Sequence, residues 1–384
     1  MPKLLIVSTS SQTLRGFLLP YARHFRRLGW RVDGAARGAE DDSDCVRAFN
    51  SVFDVAWSRR PQSLDNFLRA PKQIRAIVEA GGYDLVHIHT PIAAFVSRYA
   101  LRTAKRGGRF KVIYTAHGFH FHPEGSWLSN ALYLGLEKIA GAWTDYLVVL
   151  NETDKAAAKE HSLVPKDRVK YMPGIGLDTR SYSPGSVPVE AVRAVRWELG
   201  LTDDDRFFLM IAELVPNKRH RDALHALALT GDEHIHLGFA GTGAVQKELT
   251  ELVVRLGLSS RVHFLGFRKD IPALIRASTA TLLPSEREGL PRSIMESLSL
   301  GVPVVGTDIR GIRDLLESGS GLLVPLGDHQ ELAAALKQLA SHPELVEAMG
   351  ENARRHIQAY DLGDVLGFHE QLYAEALNCS GVRV

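Results

Sequence analysis

Cysteine is almost missing from this chain: Cys45 and Cys379 are the only two in 384 residues. They have no CxxC spacing and build no disulfide framework, which suits a reducing cytoplasm. Long apolar runs are missing as well. The opening Met1-Pro2-Lys3-Leu4-Leu5-Ile6-Val7 stops at Ser8, short of the apolar core a signal peptide needs, so it reads as a first buried strand. No stretch approaches the roughly 18 apolar residues that span a bilayer, so the chain is not expected to cross a membrane. A strong net charge is absent too, with 46 Lys and Arg against 44 Asp and Glu. No zinc-finger, helix-turn-helix or aromatic RNA-platform signature occurs, so nucleic acid is not an expected partner. Short repeats and low-complexity tracts are lacking.

What is present is the texture of a globular enzyme, 45% hydrophobic and 23% charged, at a length that favours two domains. The charge is unevenly spread: residues 1–176 hold 25 Lys and Arg against 16 Asp and Glu, and the remainder 21 against 28. Chance clustering of solvated faces accounts for this as well as an anionic partner for the first half, such as phospholipid or a lipid diphosphate. Apolar strands alternate with amphipathic helices. Strands are expected at 4–8, 32–35, 84–89, 111–115, 146–150 and 169–172, then at 207–212, 235–240, 262–266, 280–283, 302–306 and 321–324. Helices are expected at 16–28, 71–80, 93–105, 152–159, 221–230, 245–256, 271–276, 291–300, 331–339 and 356–377, with Pro71 as a helix start. Such alternation predicts an α/β fold of two Rossmann-like parallel-sheet domains facing each other across a cleft. The turn-rich 174–178 marks a hinge. The domains are then 1–175, 176–357, and a terminal helical segment 358–384 crossing back to the first.

The most informative stretch is Leu283-Pro284-Ser285-Glu286-Arg287-Glu288-Gly289-Leu290-Pro291-Arg292-Ser293-Ile294-Met295-Glu296. A strand ends near Leu283 and a tight loop leads to a helix opening at Pro291. Gly289 lets the backbone approach a ligand closely, and free N–H groups at the helix start attract anions such as a diphosphate. Glu288 and Glu296 as carboxylates accept hydrogen bonds from hydroxyls. Alternatively, Glu288 caps the helix and Glu296 is merely solvated, or the two form a glycosidase acid/base pair.

Glu288 and Glu296 form an E-x7-E motif within P-S-x-R-E-G-L-P-x-S-x-M-E, and this resembles the donor signature of family 4 retaining glycosyltransferases of GT-B fold. Gly301-Val302-Pro303-Val304-Val305-Gly306-Thr307-Asp308-Ile309-Arg310-Gly311 and Gly321-Leu322-Leu323-Val324-Pro325 match as well. The wording is similar to bacterial enzymes of exopolysaccharide, capsule and O-antigen assembly, most densely over 207–326. The resemblance implies that 1–175 binds the acceptor and 176–357 the nucleotide-sugar, with Glu288 holding the transferred sugar and Glu296 the ribose. It implies that N–H groups at Gly289 and Leu290, beside Pro291, take the diphosphate and nearby sugar oxygens, and that Lys218 neutralises the diphosphate. Gly241-Thr242-Gly243 corresponds to a glycine turn below the nucleotide, and Arg268 lies where the base is read.

In the first half, Thr115-Ala116-His117-Gly118-Phe119 resembles the family's T-x-H-G, which places His117 in the active site near the donor sugar. Together with His117, the histidines His87, His89, His120 and His122 invite a metal, yet no Cys or clustered Asp completes a site, and GT-B enzymes need none. His87 and His89 share one strand face, lining a cleft or packing. The aromatic loop 119–128 is expected to be mobile and to meet the acceptor or a membrane surface. Two departures stand out: Thr9-Ser10-Ser11-Gln12-Thr13 replaces a common Gly-Gly pair, and Glu213 stands where many members have arginine.

The expectation is a metal-independent, retaining transferase without a cofactor. It moves a hexose or N-acetylhexosamine from a UDP-sugar to a glycan acceptor, polyprenyl-diphosphate-linked or other, at the inner face of the cell membrane. The rivals are a non-hydrolysing UDP-N-acetylglucosamine epimerase of the same fold and a catalytically silent sugar-nucleotide-binding scaffold.

Overall fold

The structure, a computed structural model, describes residues 1–58, 60, 62–105, 107–121 and 126–378. Contacts divide the chain into two units, Met1–Ile175 with Gly363–Val384, and Gly176–Leu362.

In the first unit seven strands form one parallel sheet: β1 (Lys3–Ser10), β2 (Arg31–Arg37), β3 (Val52–Asp54), β4 (Leu85–His89), β5 (Lys111–Ala116), β6 (Tyr146–Val149) and β7 (Val169–Tyr171), ordered β3-β2-β1-β4-β5-β6-β7. β4 is buried along its whole length because helices cover both of its faces. Val86 and Ile88 point into a core with Val112, Tyr114, Leu147 and Val149. The alternate residues His87 and His89 point to the other face, which carries Tyr21 from the helix Leu19–Arg27 and His369 and Tyr373 from the helix Leu362–Asn378.

The second unit repeats the plan with β8 (Arg206–Ile211), β9 (Ile235–Ala240), β10 (Val262–Gly266), β11 (Ala280–Leu283), β12 (Val304–Thr307) and β13 (Gly321–Val324), ordered β10-β9-β8-β11-β12-β13. Along β8, Phe208 and Met210 enter one core while Phe207 and Leu209 enter a second on the opposite face. In both sheets the strand order reverses beside the first strand, between β1 and β4 and between β8 and β11. The carboxyl ends at such a reversal leave a crevice where open α/β sheets bind ligands.

Three expectations are corrected. Pro71 does not begin a helix but lies inside Leu64–Gly81. The turns ahead of it are anchored by buried Asn66, whose amide accepts from Ser58 N at 2.9 Å and donates to the carbonyls of Ser58 and Arg60 at 3.1 and 3.0 Å. The carbonyl that Pro71 leaves without a helical partner belongs to Phe67, an exposed residue. The terminal helix expected over 356–377 starts only at Leu362, as Leu362–Asn378; His356 ends a separate helix, Pro343–His356, and a 3-10 turn at Ile357–Tyr360 lies between the two. There Leu177 N donates to Tyr360 O at 3.0 Å and Leu362 N to Leu177 O at 2.9 Å, so the returning chain pairs with the outgoing one and cannot stay helical. Finally, the loop expected over 119–128 ends in a helix rather than staying mobile: Ser126 caps Trp127–Gly141 by accepting from Ser129 N.

Candidate functional site

The reversal between β8 and β11 gathers most of the predicted donor residues. The chain leaving β8 turns through Pro216–Lys218, and the chain leaving β11 runs through 284–291 into the helix Arg292–Ser299. Glu286 N donates to Asn217 O at 2.8 Å, tying one loop to the other. Lys218 Nζ then meets Glu288 Oε1 in a mostly buried ion pair. Removing one partner of such a pair would leave the other charge poorly solvated. Pro291 is the N-cap of the helix, which begins at Arg292, and no side chain caps it. The proposal that Glu288 caps this helix is therefore not met. Leu290 packs against the core and fixes the loop from below. Gly311 explains the loop's height: at φ +77° a Cβ there would lie 1.8 Å from the Gly289 carbonyl oxygen.

Glu296 is buried rather than solvated, and Arg292 one turn earlier donates to it through Nε at 2.8 Å. Tyr182 completes the group; burial raises its pKa, and the neighbouring Glu296 carboxylate raises it further. Sequence reasoning overlooked both partners. Arg292 was legible four residues before Glu296, the spacing of a helical ion pair. Tyr182, more than 100 positions away, left no local signal.

Gly241 and Gly243 serve a close backbone contact. A Cβ on Gly241 would stand 1.9 Å from Ala212 O, and on Gly243 2.3 Å from Leu214 O. These contacts flank exposed Glu213 and seat the loop after β9 on the loop after β8. Arg268 brings the site no free charge. Its guanidinium binds Glu198 at 2.5 and 2.9 Å and Asp270 at 2.8 and 2.7 Å, hydrogen bonds that raise its pKa.

At the other reversal, Thr9 at the end of β1 and Thr90 just past β4 share a hydrogen bond of 2.7 Å between their hydroxyls. Thr90 has φ +67°, which is strained for a β-branched residue, and Thr9 N also donates to its Oγ1 at 3.0 Å. His117, immediately after β5, is half-buried, and enclosure of its ring lowers its pKa to about 4. Its Nε2 lies 3.1 Å from Nδ1 of His89. His87 is held at both nitrogens, by Tyr373 Oη at 2.5 Å and Thr115 Oγ1 at 2.7 Å. His87 and His89 are thus packed and hydrogen-bonded in the sheet. Among the described residues no group of three or more His, Cys, Asp or Glu could hold a metal ion.

The aromatic loop 119–128 divides in two. Phe119 and Phe121 are buried and stacked, with centroids 4.9 Å apart, so they offer nothing to an acceptor. His122 lies outside the described residues. The loop's last two residues, Trp127 and Leu128, are 75% and 64% exposed and open the helix Trp127–Gly141, on which Leu132 is 60% and Ile139 56% exposed. No described helix is long and apolar enough to cross a membrane.

Comparison with known proteins matches residues 192–356 to the family model for glycosyl transferases group 1 and residues 18–175 to that for Glycosyltransferase Family 4. EpsD of Bacillus subtilis strain 168, named as a glycosyltransferase, is 35% identical over 92% of this chain and 91% of its own. The UDP-Gal:alpha-D-GlcNAc-diphosphoundecaprenol alpha-1,3-galactosyltransferase of Escherichia coli is 27% identical over 88% of this chain and 86% of its own. Among solved structures, Anabaena Alr3699/HepE in complex with UDP and glucose superposes with a TM-score of 0.81 at 23% identity, covering 98% of this chain and all 100% of that one.

Proposed function

The chain belongs to family 4 of the glycosyltransferases, and from that premise we propose that it moves a hexose or N-acetylhexosamine from a UDP-sugar to a hydroxyl of a lipid-diphosphate-linked glycan, retaining the anomeric configuration, in surface polysaccharide synthesis. One observation carries the reading: Lys218 and Glu288, from the loops after β8 and β11, meet beside a helix start that no side chain caps. A cation, a carboxylate and free N–H groups in one place suit a diphosphate next to a polyol. The donor and acceptor named for the Escherichia coli relative, and the UDP bound by HepE, support the choice of substrates.

In this reading the diphosphate replaces Glu288 as the partner of Lys218, and the released carboxylate turns to the sugar hydroxyls. Glu296, oriented by Arg292, takes the ribose hydroxyls. The N–H groups of Gly289 and Leu290 hold phosphate and sugar oxygens. Gly241 and Gly243, through their close contact with 212–214, keep the loop beneath the nucleotide low. As the bond from the anomeric carbon to the diphosphate oxygen breaks, Lys218 stabilises the growing negative charge. The acceptor oxygen bonds to that carbon on the same face, and its proton passes to the departing diphosphate. No protein nucleophile and no metal or cofactor is assigned a step. His117 is proposed to bind a hydroxyl of the transferred sugar. The exposed apolar helix Trp127–Gly141, in the basic half of the chain, is proposed to rest on an anionic membrane at its cytoplasmic face.

The test offers UDP-, GDP- and ADP-sugars with membrane lipid extract and follows nucleotide release and product. UDP release that depends on lipid, with sugar added to it, is expected. An altered UDP-sugar without release would point to an epimerase instead, and binding without product to a silent scaffold; either result overturns the proposal.

A further inference from the structure

His89 has no part in the mechanism above, yet it touches the one histidine that does. Its Nδ1 stands 3.1 Å from His117 Nε2, and its own Nε2 is buried with no hydrogen-bond partner. The ring cannot turn away easily. His87 lies against it with centroids 4.2 Å apart and is itself pinned by Tyr373 and Thr115, while the strained Thr90 ties the end of β4 to Thr9.

The titratable groups that act on His89 are His87, His117 and His369, with no carboxylate among them. Burial disfavours the imidazolium at both His89 and His117, so each ring is neutral with one proton, and one of these two protons lies in the hydrogen bond between them. A neutral imidazole has one donor and one acceptor nitrogen, which leaves two arrangements. If His117 Nε2–H donates, His89 must carry its own proton on Nε2, a buried N–H with nothing to receive it. If His89 Nδ1–H donates, only a lone pair on Nε2 goes unused. Orphaned buried N–H groups are the rarer of the two defects.

We propose that His89 is a positioning residue: its Nδ1–H donates to His117 Nε2 and holds His117 in the tautomer protonated at Nδ1, so that His117 meets the sugar hydroxyl as an N–H donor. This rests on the sugar-binding role of His117 given above, but part of its test does not. In the full chain labelled with 15N-histidine, long-range proton–nitrogen spectra read the two tautomers directly. A protonated Nδ1 and bare Nε2 are expected on both rings, and a protonated Nε2 on His117 overturns the proposal even if transfer is never detected. For transfer itself, His89→Leu should lower kcat about tenfold with donor KM unchanged. His89→Asn, whose Nδ2 stands where Nδ1 stood, should restore kcat to within about threefold of the native chain. Equal losses in the two variants would mean that His89 only fills space, and would end the proposal. A chain with the expected tautomers that transfers no sugar would sink the functional reading instead.

Discussion

At the scale of single residues the site is built from charges that already have partners. Lys218 is neutralised by Glu288, and Glu296 by Arg292, so a bound donor exchanges partners rather than filling empty positions. This gives a prediction of opposite signs. Glu288→Gln removes the competitor for Lys218, so UDP should bind at least as tightly by calorimetry, while transfer falls about a hundredfold because the hydroxyl acceptor is weakened. Weaker UDP binding in this variant would argue against the exchange. The buried histidines supply a second test. Burial holds His369 at a pKa of about 4, against an ordinary value of 6.5. Between these values the unfolded chain binds the extra proton, so stability is complete above about pH 6.5 and falls as pH drops toward 4, by roughly 3 kcal/mol for this one group. His369→Phe should flatten that acid limb in denaturation midpoints measured from pH 4 to 7. His87 and His89, depressed in the same direction, leave some slope behind.

At the scale of elements, the loop 284–291 is shaped from below and from the side. Leu290 seats it on the core, and the Gly289 carbonyl lies against Gly311. Gly311→Ala is strained in its backbone and also collides with that carbonyl, so the loop carrying Glu288 must move. Donor affinity is expected to fall about tenfold and the unfolding free energy by about 1–3 kcal/mol, read by UDP titration and urea denaturation. Unchanged UDP binding would mean that the loop does not depend on Gly311. The helix Trp127–Gly141 shows why elements can escape sequence reading. Its apolar residues run all round, so no stripe distinguishes it, and its start lay in what reads as an aromatic loop. β3, three residues long at the sheet edge, left too short a pattern to find.

At the scale of the whole molecule, two sheets of one plan each open a crevice at the reversal of strand order, and each crevice carries one group of the candidate site residues. The basic first half and the exposed apolar face of Trp127–Gly141 belong to the same unit. Sedimentation with vesicles should therefore show tighter binding to anionic than to neutral lipid, weakened by salt. Replacing Trp127 and Leu132 by Ser should reduce it by about a hundredfold or more, since each large side chain buried in the bilayer surface contributes roughly 1.5–3 kcal/mol. Equal binding to both vesicle types would remove the membrane from the proposal.

The amino-acid sequence by itself determined the strand–helix alternation, the parallel sheets and the family. Apolar periodicity is a local property, and the loop after β11 carries its chemistry in consecutive residues. Only the tertiary structure decided that Glu288 pairs with Lys218, that Tyr182 stands beside Glu296, that Arg268 is consumed by Glu198, and that His89 reaches His117. Each of these joins residues at least 28 positions apart. Which of several charged or aromatic side chains comes within hydrogen-bond distance depends on strand order and register, and those emerge only when the sheets assemble.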